Sequence, residues 1–415
     1  MNKLIIFFVS TFFLLPKLPL VSSSGLLIGE IILIIIGLCL VTTNNLRFYF
    51  NSYSLTFLSF LFTLLILSNI PAIILHSIVP AKSVVFFLRA LLYALIPCML
   101  LSSTLKHSSE DIFKIFFKYS IVGFLIYLLY FIGTFILIKP SLGDVLGTIS
   151  PGTRFIMSYG LTITPEFPVF LKAVAGGSGN LLASHCLLLA ISLSLFKIKP
   201  YNELIFLSFF IILLLLAQSR GGAFTILLWM SWRTLFLFKD LLFTMRGAFV
   251  LISLSMVLVL LLTFLNDQIG IFERYINIFQ NFSLDRSSSA RVLNYIDTYS
   301  IWSSSIYYMI FGIGIEEAIV YRLTGWTIVE SFYLSLIFSG GFISVTLFLL
   351  FFVYVYLNRN NSIWIKILFL FLLFNTPINW AITGSDIFGP VCLFMIFFLV
   401  GLHFKDLNNQ LPHEH

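Results

Sequence analysis

Three short stretches of this chain hold side chains whose types and spacing could do chemistry. The first, Gln218-Ser219-Arg220-Gly221-Gly222-Ala223, separates two apolar runs. A guanidinium there suits bidentate contact with phosphate oxygens, and the glycines let a backbone or ligand come close. The same arginine, at the end of a buried run, would also serve as a snorkelling anchor. The second, Ser287-Ser288-Ser289-Ala290-Arg291, is followed by Trp302 and by Phe311-Gly312-Ile313-Gly314. Its serines suit the cap of a helix beginning near Ala290. Arg291, Asn294, Tyr295 and Thr298 would then share one face, turned either to water or to a substrate. Gly312 and Gly314 read as a turn, since no strand precedes them and no third glycine follows in nucleotide-motif register. The third, Glu330-Ser331-Phe332-Tyr333, opens an apolar run that reaches Ser339-Gly340-Gly341. A carboxylate in a first helical turn complements the helix dipole. Partly desolvated, it is also a candidate for proton transfer.

The elements that must position these groups are overwhelmingly apolar. Of 415 residues, 60% are hydrophobic and 10% charged. A soluble chain of this size carries charge on roughly a quarter of its residues, so lipid is the expected solvent. About 20 apolar residues cross a bilayer core as a helix. Twelve stretches fit: Leu4–Leu20, Leu26–Val41, Leu55–Ile74, Val84–Leu101, Ser120–Ile138, Leu181–Phe196, Leu204–Ala217, Ala223–Phe238, Ala248–Leu265, Ser331–Tyr356, Trp364–Asn375 and Ile387–Leu402. The start resembles a signal peptide, but Pro16 and Lys17 interrupt the run, which favours an uncleaved first helix. Cys39, Cys98, Cys186 and Cys392 all fall in apolar stretches without metal-ligand spacing, and read as packing residues. No metal or cofactor site is expected. The net charge of +7 is explained by anchoring lysines and arginines and does not require a nucleic acid.

Counted over alternate short loops, the cations are one-sided. Lys3, Arg47, Lys106, Lys114, Lys118, Lys197, Lys199, Arg233, Lys239, Arg246, Arg359, Lys366 and Lys405 share one side, against Lys17, Lys82 and Arg220 on the other. The positive-inside rule makes the first side cytoplasmic, with both termini. The expected fold is an all-α polytopic membrane protein. It comprises N-terminal helices (1–138), a first large outer loop (139–180), central helices (181–265), a second large outer loop (266–330), and C-terminal helices with a short tail (331–415). Both loops contain aromatics and short apolar stretches such as Ile301–Ile310, compatible with amphipathic helices at the membrane surface.

In their order and on their common side, these motifs resemble the O-antigen polymerases and ligases. The resemblance rests on Ser219-Arg220-Gly221 between two spans, then Ser289, Arg291, Trp302 and Gly312-Ile313-Gly314, then Glu330 opening a span that reaches Gly340-Gly341. The stretch Gly176-Gly177-Ser178-Gly179-Asn180-Leu181-Leu182-Ala183 is similar to the Gly-rich, Asn-Leu-Ala start of a span in that family. The resemblance covers roughly Arg154 to Gly341. It implies a bacterial inner-membrane glycosyltransferase of GT-C-like architecture, independent of metal and working at the periplasmic face. The implied substrates are undecaprenyl-diphosphate-linked oligosaccharide repeat units, with membrane lipid around them and a chain-length regulator as a compatible partner. Ligases usually have His where this chain has Glu330, so polymerase is favoured over ligase.

A departing diphosphate needs fixed cations or hydrogen-bond donors. Arg220 and Arg291 are the leading candidates, with Arg154, and behind them Arg286, Arg322 and Lys172. Glu330 is the candidate base. Asn180 and Tyr321 are candidate glycan contacts, with Tyr159 a further stacking residue. Arg89 and Glu30 read as anchoring or buried polar residues near span ends, His185 as an interhelical hydrogen-bonding residue, and Asp386 as a helix cap. A lipid-linked oligosaccharide flippase is the alternative from another class. It would be expected to carry ionisable residues deep within spans and related halves, whereas here the polar groups gather in two loops.

Overall fold

The computed structural model describes residues 34–35, 37–39, 59, 63, 66, 70, 73–74, 76, 97, 101, 107–138, 155–156, 162–163, 179–196, 199–216, 220–237, 286–314, 317–326, 329, 332–357, 362–378 and 390–410. The expected spans Leu4–Leu20 and Ala248–Leu265 lie outside these residues, and Leu26–Val41, Leu55–Ile74 and Val84–Leu101 lie largely outside them. The elements in chain order are α1 (Ser109–Ile138), β1 (Phe155–Ile156), β2 (Thr162–Ile163), α2 (Gly179–Leu195), α3 (Pro200–Leu216) and α4 (Arg220–Leu237). There follow α5 (Arg286–Ser303), α6 (Ile306–Phe311), α7 (Glu317–Thr324), α8 (Phe332–Leu357), α9 (Ile363–Ile378) and α10 (Pro390–Gln410). Regular structure among the described residues is thus helical, apart from a two-residue antiparallel ladder pairing Phe155 with Ile163 and Ile156 with Thr162. Among those residues, Leu334–Leu357 of α8 is the one stretch long and apolar enough to cross a membrane. Leu182–Leu195, Asn202–Leu214 and Ile363–Phe374 are shorter apolar helical stretches.

The helices keep the expected apolar centres and differ at their ends, where polar residues decide. α1 begins at Ser109, well before the apolar run at Ser120. Ser108 explains the early start. Its Oγ accepts from the Asp111 amide at 3.1 Å and donates to Asp111 Oδ2 at 2.7 Å, a local cap for otherwise orphaned groups. Glu110 and Lys114 then pair at 2.7 Å one turn apart. Ile112, Phe116 and Ser120, spaced by one turn, carry the buried face of this extension.

The chain divides into two compact units: Met1–Phe13, Ile28–Ile121 and Arg291–His415 form one, Leu14–Leu27 and Val122–Ala290 the other. In the first, α6 packs on α8, and α9 packs on α10 and α8. Aromatic side chains fill much of its core. Phe113 of α1 lies 5.4 Å from Trp364 of α9, and Phe116 lies 4.8 Å from Phe398 of α10, ring centre to ring centre. Buried polar groups at the same end are bonded across helices. Trp364 Nε1 donates to Asp406 Oδ2 at 2.6 Å, and Ser109 Oγ donates to the Leu402 carbonyl at 3.2 Å.

The second unit is built on α2, α3 and α4, each packed on the other two. Phe124 of α1 sets its ring against the ring edges of His185 (5.2 Å) and Phe210 (6.0 Å). Cys186 is buried, as a packing residue would be, and Cys39 in the first unit is exposed.

Candidate functional site

Glu330, Arg154, Lys172 and Tyr159 lie outside the described residues, as do Glu30, Arg89 and Asp386. The other candidates fall at helix starts or on one short helix. Asn180 is the second residue of α2. Arg220 is the first residue of α4, so Gly221 and Gly222 belong to that helix and not to a linker. Glycine disfavours a helix interior by about 1 kcal/mol, but in a first turn the amides lack intrahelical partners in any case. Arg286 opens α5, and Arg291 lies in its second turn. The expected serine cap is therefore corrected: Ser287, Ser288 and Ser289 are first-turn helical residues, and the helix begins four residues before Ala290. Tyr321 and Arg322 lie on α7, and Tyr321 is 60% exposed.

The structure brings two of the three motifs into direct contact. α8 is interrupted at Gly340 (φ −133°, ψ 17°) and Gly341 (φ 59°, ψ −156°). A straight helix would commit the Phe338 and Ser339 carbonyls to the amides of residues 342 and 343. Here they accept from Ile313 N at 2.7 Å and Gly314 N at 3.0 Å. Gly312, at φ 75°, ends α6 and turns the chain into this contact. A Cβ on Gly312 would lie 2.5 Å from Gly340 N and Ser339 O, and one on Gly341 would collide with the Ile310 carbonyl. Glycine at both positions is thus required twice over, by left-handed backbone and by close approach. The kink itself has a named cause, a Gly-Gly pair whose freed carbonyls are satisfied by a neighbouring segment.

Around the crossing, Trp302, Ile313, Ile319, Val320, Val329 and Phe338 form one buried apolar cluster. Trp302 also sets its ring edge-on to Phe342, 5.2 Å away, just past the kink. Two residues of the proposed polar stripe of α5 point inward: Asn294 and Thr298 are each 1% exposed, while Leu293 and Ile296 are 52% and 56% exposed. Thr298 Oγ1 and Trp302 Nε1, one turn apart, have no hydrogen-bond partner among the described residues. Two buried donors without acceptors cost about 1–3 kcal/mol each if nothing meets them, so they mark a place for a polar atom. Asp297 is engaged, accepting from Trp326 Nε1 at 2.9 Å.

Arg322 meets no carboxylate among the described residues. Its Nη2 donates to His76 Nδ1 at 3.3 Å. Since guanidinium only donates, the imidazole is neutral with its proton on Nε2. Burial, and then the Arg322 charge, hold the His76 pKa below its ordinary value. This partnership joins residues 246 positions apart, and His76 carries no local signal that would single it out.

A second polar centre, in the α2–α3–α4 unit, was also invisible to spacing. Glu203, wholly buried in the first turn of α3, accepts from Arg233 Nε at 2.8 Å and from Arg233 Nη2 at 3.1 Å. Ser194 of α2 donates to Glu203 Oε1 at 2.5 Å and accepts from Trp229 Nε1 of α4 at 3.1 Å. Arg233, expected only as a charged anchor, is one half of this interior ion pair. The available signal was an acid close to the start of one apolar run and a cation near the end of the next. Compared with known proteins, the chain matches no family model, no curated sequence and no solved structure.

Proposed function

We propose that this chain is a polytopic inner-membrane polymerase of lipid-linked sugar repeat units, of GT-C-like architecture with about twelve spans. The observation that carries this reading is the crossing of Phe311–Gly314 with Phe338–Gly341, joined by two backbone hydrogen bonds. These are two motifs on which the likeness to O-antigen polymerases rests, and they are distant in the chain. Their contact supports treating them as parts of one functional element.

The membrane reading has support from long-range contacts. Several of them join residues that the charge bias assigns to one side. Ser109 with Leu402, Phe113 with Trp364, and Trp364 with Asp406 pair residues near expected cytoplasmic ends. Ser194, Glu203 and Arg233 do the same in the other unit. Arg322 with His76 pairs the second large loop with an expected outer loop. In this reading both termini are cytoplasmic, and the exposed leucines and phenylalanines of α8 and α9 face lipid.

The reaction breaks the bond between a sugar and the diphosphate of one undecaprenyl-linked chain. It forms a glycosidic bond to a hydroxyl of a second lipid-linked unit at the periplasmic face. The acceptor's proton leaves to a base, and the diphosphate departs on its lipid. Arg220 and Arg291 are assigned the cationic stabilisation of the leaving group, aided by Arg154, Lys172, Arg286 and Arg322. Glu330 is assigned the base, and Asn180 and Tyr321 glycan contacts. Thr298 Oγ1 and Trp302 Nε1 are buried donors available to a polar ligand atom. In a host that needs this chain to polymerise its glycan, Arg220→Ala or Arg291→Ala at normal expression is expected to leave single repeat units exported and no long chains. Wild-type chain lengths in both variants would remove the assignment. Repeat units stranded on the cytoplasmic side when the chain is deleted would instead indicate a flippase.

A further inference from the structure

The crossing between Gly312–Gly314 and α8 lies at an unexpected depth. Among the described residues, the stretch able to cross a membrane begins at Leu334, two residues into α8. The carbonyls that meet Ile313 and Gly314 belong to Phe338 and Ser339, and the kink ends at Gly341. At about 1.5 Å of rise per residue, the contact sits roughly 6–10 Å inside the end of that stretch. A segment counted as outer loop by charge and hydropathy is therefore bonded to α8 below the membrane surface, if α8 spans.

The neighbouring surface has the character this depth demands. α6 has no buried residue, and Ile306, Tyr307, Ile310 and Phe311 are 74%, 40%, 39% and 42% exposed. α5 is amphipathic in the inverse sense for water, with Val292, Leu293, Ile296 and Tyr299 outward and Asn294 and Thr298 inward. The outward face runs on to Phe342, 49% exposed, which touches Trp302 of α5 and belongs to the apolar exterior of α8. The non-helical backbone is treated oppositely. Gly312, Ile313, Gly314, Gly340 and Gly341 are all buried, as irregular backbone at membrane depth must be.

We infer that α6 and the following Gly312–Gly314 segment form a re-entrant element that dips beside α8, and that the outward faces of α5 and α6 are covered by acyl chains of the bilayer leaflet. The inference rests on the membrane reading above and is independent of any catalytic role. It is tested by nitroxide spin labels on Ile296→Cys, Ile306→Cys and Ile310→Cys, with Val353→Cys of α8 as reference. The full chain, its four native cysteines replaced by alanine, is placed in phosphatidylglycerol–phosphatidylethanolamine nanodiscs. Power saturation with oxygen and with a nickel chelate then reports lipid or water at each site. Labels at 296, 306 and 310 are expected to favour oxygen several-fold, as the label at 353 does, and preference for the nickel chelate at 296 would overturn the lipid cover of α5. Preference for the nickel chelate at 306 and 310, or exclusion of both reagents there, while 353 favours oxygen, would overturn the re-entrant element alone. Preference for the nickel chelate at 353 as well would overturn the membrane reading together with it.

Discussion

Glu203 and Arg233 show what a single buried charge demands of its neighbours. The pair is nearly dry, with side chains 1% and 11% exposed, and the carboxylate accepts three hydrogen bonds from Ser194 and Arg233. Such a pair contributes little net stability over a well-packed apolar replacement, but removing one partner strands the other. Glu203→Ala is therefore expected to cost about 3–5 kcal/mol, read as a fall in the thermal unfolding midpoint in detergent. Glu203→Leu combined with Arg233→Met should cost much less than the single change. If the single and double variants unfold alike, the pair is not coupled as described. Neither residue was singled out from local spacing, because a glutamate in a first helical turn and an arginine near a helix end each have ordinary local explanations.

Among elements, the kinked α8 is distinguished from a plain apolar helix by what meets its break. Gly341 and Gly325 both have positive φ, at 59° and 75°, but only Gly341 is crowded; nothing lies within 4 Å of a Cβ on Gly325. The two positions separate backbone preference from close approach. Gly325→Ala should cost about 1–2 kcal/mol for the left-handed conformation alone. Gly341→Ala adds an overpacking cost of about 1–3 kcal/mol, since the atoms it meets are backbone of α6 and cannot rotate away. Comparing the folded fraction of the two variants after heating checks this, with equal losses counting against the crossing. The glycines themselves were evident in the sequence. Their pairing was not, because the hydrogen bonds that unite them run between segments some 25 residues apart (Ile313 to Phe338).

At the scale of the whole chain, the charge bias makes a direct expectation about sidedness. Tyr321 and Lys118 are both exposed and lie on opposite sides in the proposed topology. A cysteine at 321 should react with a membrane-impermeant maleimide on intact spheroplasts, and one at 118 only after permeabilisation. Reaction of both, or of 118 alone, on intact cells would overturn the orientation. The polymerase reading depends on this, since its diphosphate chemistry is assigned to the outer side.

The sequence by itself determined the apolar helices, because their signal is local: runs of large hydrophobic side chains fall where α1–α4 and α8–α10 are found. It also determined the charge bias and which side chains are cationic or acidic; Arg220 and Arg291 both lie on helices of the structure. Helix ends were read less well, as Ser108 before α1 and the serines inside α5 show, because a cap depends on backbone geometry as well as residue type. Only the tertiary structure decided which groups meet. The α5 stripe could have faced water or a substrate on periodicity alone, and packing turned Asn294 and Thr298 inward. The Arg322–His76 contact and the glycine crossing likewise arise from chain segments brought together by burial, an energy that no local pattern encodes.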